Sequence, residues 1–166
     1  MTGAFSIRPA SLEEKPLLEE MFQPYCAELA VFPDDHPVAR DAHGRYFSPY
    51  VDRYWIEEVR YPYLLLDGAE IAGFALVRRT GDRWELSEFY VKPAFRRRGL
   101  ARTCATLVVA NHPGAWHIGF NRANHAGRAL WTSLAEDLSG GRHVHEEADA
   151  FHEYVAFTAG NDTRTT

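Results

Sequence analysis

The sequence predicts an α+β domain in three layers, with a mixed, mostly antiparallel central sheet of about seven strands flanked by about four helices. Three observations carry this. Two apolar runs, 63–66 and 71–77, are joined by Asp67-Gly68-Ala69-Glu70, and Asp-Gly is the favoured dipeptide of a tight hairpin. The order strand, helix, strand, helix then fills residues 84–136. Residues 142–147 and 151–157 close the chain as a second hairpin that completes a mixed sheet.

Taken in order, Phe5-Ser6-Ile7-Arg8-Pro9 alternates apolar and polar residues as a first strand does. Ser11 followed by Glu14 has the spacing of a capping box and opens a helix through about Met21. Residues 32–37 contain two prolines and break any helix. Residues 46–59 read as helical, with Tyr46, Phe47, Tyr50, Tyr54 and Trp55 grouped there. Such a set either lines a pocket for a cationic or apolar acceptor or forms the core face of a helix, and aromatic stripes are more often packing.

Gly81-Asp82 turns the chain into the strand 84–91. Residues 100–110 carry a broad apolar stripe, and Asn111-His112-Pro113-Gly114 stops that helix. Residues 116–120 form a short buried strand, and Ala126, Leu130 and Leu134 repeat at helical spacing within 126–136.

At 166 residues the chain fits a single domain, 1–158, with 159–166 as a disordered tail. A net charge of −5 argues against nonspecific nucleic-acid binding, which is driven by phosphate neutralisation. Cys26 and Cys104 lie far apart with no C-x-x-C and no secretory leader, so both read as reduced thiols. No apolar stretch approaches the roughly 18 residues that a membrane span needs. The expectation is a cytoplasmic protein with no nucleic-acid or membrane partner.

The densest chemical signal is Val91-Lys92-Pro93-Ala94-Phe95-Arg96-Arg97-Arg98-Gly99-Leu100-Ala101, where a strand ends in a basic, glycine-bearing turn that opens a helix. The first N–H groups of a helix lack internal acceptors and the helix dipole adds positive potential there, so this turn makes an anion cradle that suits a pyrophosphate. Gly99 allows close approach of a ligand. The chain has neither a G-x-x-x-x-G-K-[ST] nucleotide loop nor a G-x-G-x-x-G dinucleotide turn.

The spacing Arg96-x-x-Gly99-x-Ala101, preceded by Val91-x-Pro93, resembles the acyl-CoA binding motif of the GNAT superfamily of N-acetyltransferases. The resemblance covers the whole order of elements, with specific motifs in 85–131. It implies an acyltransferase that uses acetyl-CoA as co-substrate, its pyrophosphate held by Arg96, Arg97, Arg98, Gly99, Leu100, Ala101 and Arg102. In that family the cradle strand and the next strand splay, and the pantetheine arm pairs with strand backbone, here Phe89, Tyr90 and Val91. A second family signature, Asn then Ala three residues later and Tyr seven later, falls on Asn124, Gly127 and Trp131. The Asn would hold the pantetheine. The Tyr that often protonates the departing thiolate is replaced by an indole, which donates a hydrogen bond and cannot supply a proton. Either another phenol such as Tyr90, Tyr54 or Tyr154 serves as acid, or the thiolate leaves without one, and the second is favoured because a thiol is a good leaving group.

Acetyl transfer needs a neutral amine, so a carboxylate beside the thioester is the natural base or water-relay anchor. Glu88, in the pattern Glu88-Phe89-Tyr90-Val91, stands where amine acetyltransferases of the superfamily often carry an acid, and Glu85 where histone-type members place their base. Residues three apart on a regular strand face opposite sides, so both can serve only across a bulge; Glu88 is favoured. Tyr50, Tyr54 and Trp55 are the candidate acceptor-binding residues. The His143, His145, His152 group with Glu146, Glu147, Asp149 and Glu153 offers no closed ligand set, and no metal is expected. The expected reaction is direct attack of a small-molecule primary amine on the thioester; a peptide acceptor and a non-catalytic acyl-CoA-binding domain are the alternatives. An exposed final hairpin suggests a homodimer.

Overall fold

The Asp67-Gly68 turn, with Gly68 at φ +60°, folds β2 (Arg60–Asp67) onto β3 (Glu70–Thr80) as the dipeptide predicts. The protein is described from a computed structural model at residues 4–33 and 39–160. The remaining strands are β1 (Phe5–Pro9), β4 (Arg83–Val91), β5 (Gly114–Asn121), β6 (Val144–Glu147) and β7 (His152–Ala159). One seven-stranded sheet runs β1-β2-β3-β4-β5-β7-β6. Every neighbouring pair is antiparallel except β4 and β5, which are parallel.

The helices are α1 (Lys15–Leu29), α2 (Pro49–Asp52), α3 (Leu100–Ala110) and α4 (His125–Ser139). Alternate strand residues serve two cores. On one face Leu64, Phe74, Leu76 and Tyr90 pack under Leu18, Met21, Phe22, Tyr25 and Cys26 of α1 together with Val51 and Tyr54. On the other, Leu65, Ala75, Val77 and Leu86 pack under the apolar stripes of α3 and α4. Helix, sheet and helix are the three layers expected.

The capping box is present: Glu14 Oε1 accepts from the Ser11 N–H at 3.0 Å, and a short 3₁₀ turn leads into α1. That helix runs to Leu29, eight residues beyond the expected end, with Pro24 inside it. Proline removes one helical bond, but Phe22, Tyr25 and Cys26 are buried on the sheet on either side of it, and that packing holds the last two turns.

Residues 46–59 are not the helix expected. Tyr46 forms an isolated bridge with Arg40, α2 is a four-residue turn capped by Ser48, and residues 53–55 are a 3₁₀ turn. The Trp55 indole N–H then bonds the carbonyls of Ala10 and Ser11 at 3.0 and 3.1 Å, which ties the chain across the start of α1 and ends the helical run. β7 reaches Ala159, so the domain extends past the expected limit of 158. The expected break at 32–37 lies outside the described residues from Asp34 onward, as does the tail from 161. No helix among the described residues is long and apolar enough to cross a membrane. Both cysteines are buried.

Candidate active site

β4 and β5 pair only at Arg83–Ala115, Trp84–Trp116 and Glu85–His117. Beyond Glu85 they separate, and one edge of β4 stays bonded to β3 through Val91 while the other faces a gap. The separation begins at a bulge: Leu76 opposes Glu88 and Val77 opposes Leu86, so Ser87 is an extra residue on β4. A bulge bends and twists its strand, which turns the end of β4 away from β5. It also settles the phase of the two carboxylates. Glu85 opposite Arg78 and Glu88 opposite Leu76 emerge on the same face, and both line the cavities beside the gap.

Three cavities meet there. One of about 330 Å³ runs along β4 beside Phe89, Tyr90 and Val91, between Arg96 and Ala101 on one side and Asn124, Gly127 and Trp131 on the other. A second, of about 350 Å³, holds Glu85, Glu88 and Tyr154. Tyr25, Leu29, Phe89, Asn124 and Trp131 line both of these and form the wall between them. A third, of about 620 Å³, lies under 47–51 and contains Tyr50, Tyr54, Arg60 and Arg78 with the two glutamates. Trp55 does not line it, because its indole is committed to Ala10 and Ser11.

The cradle turn has the backbone its sequence implies. Arg97 is at φ +62° and Gly99, the N-cap of α3, at φ +81°. Among the described residues no main-chain hydrogen bond uses the N–H of Arg97, Arg98 or Gly99, and the first N–H groups of α3 lack partners within the helix. The arginines are mostly engaged elsewhere. Arg96 donates to the Val91 carbonyl at 2.8 Å and grips both oxygens of Glu28 at 2.8 Å, tying the turn to α1. Arg98 pairs with Asp67 at 2.7 Å, and Arg102 donates to Ser133 at 2.9 Å and pairs with Asp137. Arg96 and Arg98 therefore brace the turn, and Arg102 ties α3 to α4.

Asn124 caps α4: its side-chain oxygen accepts from the Gly127 N–H at 3.0 Å. A Cβ on residue 127 would stand 2.7 Å from the Asn124 amide nitrogen, so glycine is what lets the carboxamide lie over the first turn. That leaves the amide as a donor toward the gap. Trp131, 8% exposed, meets Phe89 edge-on at 5.1 Å, each ring on one lip of the gap.

The two carboxylates differ. Glu85 is 7% exposed and accepts from Arg78 at 2.5 Å, with His117 Nε2 3.8 Å from its other oxygen. Burial alone would raise its pKa, but the facing His117 and Arg78 outweigh burial and lower it. It stands as the ionised partner of Arg78. Glu88 faces the cavities and accepts a hydrogen bond from the Tyr25 hydroxyl of α1. Burial raises the pKa of three nearby phenols: Tyr154, stacked on His117 at 4.8 Å and further raised by Glu85; Tyr90, further raised by Glu28; and Tyr54.

Sequence reasoning did not find Tyr25, Glu28, Asp67 or Arg78. The spacing Leu18, Met21, Phe22, Tyr25, Cys26 was the available signal for the first, and Pro24 obscured it. Among the described residues no three His, Cys, Asp or Glu side chains are grouped to hold a metal; His145 instead pairs with Glu153 at 2.5 Å and His152 with Asp149 at 2.9 Å.

Known proteins share this fold. The fold matches the ribosomal-protein-S18-alanine N-acetyltransferase from Escherichia coli, 15% identical, with a TM-score of 0.64 over 98% of this chain and 99% of that one. It matches a ribosomal L7/L12 alpha-N-protein acetyltransferase in complex with coenzyme A at 14% identity and a TM-score of 0.69, over 93% and 94% of the two chains. The PaiA N-acetyltransferase from Thermoplasma acidophilum, also in complex with coenzyme A, is 13% identical with a TM-score of 0.63 over 93% and 99%. No curated protein matches the chain. The sequence pattern of the acetyltransferase (GNAT) family matches residues 17–135, from α1 into α4. With that match over most of its length, the chain belongs to the acetyltransferase (GNAT) family, a family of acyltransferases.

Proposed function

We propose that the protein transfers an acetyl group from acetyl-CoA to a primary amine of a small molecule, by direct attack of the amine on the thioester. The observation that carries this is the parting of β4 from β5 beyond Glu85, which leaves one cavity beside Arg96 and Ala101 and, across a shared wall, a second that holds Glu88. The pyrophosphate belongs on the N–H groups of Arg97 to Ala101, where a helix N-terminus favours an anion. The pantetheine arm belongs in the gap, against the free edge of β4 and the Asn124 amide. The acetyl group then meets Glu88, which takes the proton released as the amine attacks. Fixing the two reactants on either side of Glu88 supplies most of the advantage, because the bimolecular step becomes effectively unimolecular.

The third cavity is the acceptor's. Its Tyr50 and Tyr54 rings and the Glu85 and Glu88 carboxylates suit an amine with an apolar body. A peptide N-terminus is the second reading, since two of the structural relatives act on ribosomal proteins. Calorimetric titration with acetyl-CoA, followed by thiol release against small amines and short peptides, tests both. Micromolar binding with release driven by small amines is the expected result. Release with peptides alone favours the second reading, and binding with no release makes the domain an acyl-CoA sensor.

A further inference from the structure

Trp131 leaves the departing thiolate without the phenol that the family resemblance would supply from α4, and the remaining phenols differ in position. The chain has eight tyrosines. Tyr54 lines the acceptor cavity, Tyr154 the acetyl cavity and Tyr90 the cofactor cavity, each without the others. Tyr25 alone among them lines both the cofactor and the acetyl cavities, on the wall that the two share. Its hydroxyl is already bonded to Glu88. The ring is fixed by Phe22, Phe74 and Tyr90, with centroids 5.9, 5.5 and 5.9 Å away, and only 9% of the residue is exposed.

We infer that Tyr25 is the general acid of the reaction and that Tyr25 and Glu88 form a closed proton circuit. The inference rests on the acetyl-transfer reading above. The amine nitrogen forms its bond to the acetyl carbon and loses a proton to the Glu88 carboxylate. The carbon–sulfur bond breaks, and the sulfur takes the phenolic proton of Tyr25. The phenolate recovers a proton from the Glu88 carboxylic acid through the hydrogen bond that joins them. Amine and acetyl-CoA have become amide and free thiol, and both side chains are back in their starting states.

The circuit also answers an energetic objection. A phenol is ordinarily a weaker acid than an alkyl thiol, so Tyr25 acting alone would protonate the sulfur uphill. A carboxylic acid is ordinarily a stronger acid than either, so the net transfer from Glu88 to sulfur runs downhill. The placement divides labour between layers: β4 supplies the base, and α1 supplies the acid from above.

The test is Tyr25→Phe, which keeps the ring and its packing. Coenzyme A affinity by calorimetry should stay within about twofold, while kcat with acetyl-CoA falls on the order of a hundredfold and the alkaline limb of its pH profile disappears. With S-(4-nitrophenyl) thioacetate, whose thiolate needs no proton to leave, variant and wild type should turn over alike. A variant as fast as wild type with acetyl-CoA overturns the inference. So does an equal loss with the aryl thioester, which would make Tyr25 only a positioning residue for Glu88, and so does a large loss of coenzyme A affinity. A wild-type protein that binds coenzyme A but releases no thiol with any amine overturns the acetyl-transfer reading itself.

Discussion

At its Arg83 end the β4–β5 pair is sealed by rings, and at its Val91 end the same two strands stand apart. The sealed end stacks His112 between Trp84, Tyr61 and Trp116, with centroids 4.4, 4.6 and 6.2 Å away. His112 Nε2 and the Tyr63 hydroxyl are 2.7 Å apart, and the Trp116 indole donates to the His112 carbonyl at 2.8 Å. The open end has an unpaired strand edge and the polar groups Glu88, Asn124 and Tyr25. Rings pack at one end and cavities open at the other, an arrangement in which a sheet can keep an unbonded edge without unravelling.

The strongest way to break that division is at the sealed end. Trp116→Ala, at a site with no exposed surface, should cost about 3–5 kcal/mol in thermal or denaturant unfolding. A cost well under 1 kcal/mol would show that the rings do not hold the strands. At the open end, Glu88→Gln should lower turnover by about a hundredfold or more while leaving stability and coenzyme A affinity unchanged. Full activity in that variant would remove Glu88 as the base.

A smaller effect is expected at the cradle. Gly99→Val puts a branched side chain at φ +81°, where backbone strain costs about 1–2 kcal/mol. The added Cβ meets nothing within 4 Å in the free protein, so an accompanying loss of coenzyme A affinity of about tenfold would report the ligand's close approach. Undiminished affinity would move the pyrophosphate elsewhere. The mildest probe is pH. Burial holds the pKa of His112 below its ordinary value of 6.5, so the unfolded chain binds the proton first. Stability should fall as pH drops through 6.5 and continue to fall until the lower folded-state value is passed; His112→Gln should flatten that part of the profile in a series of unfolding curves.

What was legible in the sequence follows the same division between local and remote causes. The hairpin at Asp67-Gly68, the bounds of α3 and the cradle turn depend on residues adjacent in the chain, and all are found where the pattern places them. The relation of Glu85 to Glu88 depends on the register of β4 against β3, which neighbouring residues do not reveal. Three cradle arginines read as ligand donors because their partners, Glu28, Asp67 and Asp137, lie about 30 to 70 residues away. Tyr25 was doubly hidden, behind a proline that reads as a helix stop and 63 residues from the carboxylate it touches. In 46–59 the aromatics divide, with Tyr54 buried, Tyr46 and Trp55 packed beside the core, and Phe47 and Tyr50 exposed, because a proline turn and a tied indole shape the segment more than periodicity does.

The extra residue at Ser87 has a consequence for how such a site is gained or lost. Partners on β3 match β4 without interruption on either side of it, Val77 with Leu86 and Leu76 with Glu88. Removing that single residue would leave every pairing and every side-chain face as it is and take away only the bend. The aperture is thus encoded as surplus chain length, a quantity that no substitution alters and that one deletion erases, leaving a conventional sheet with its aromatic pattern intact and no opening between its central strands.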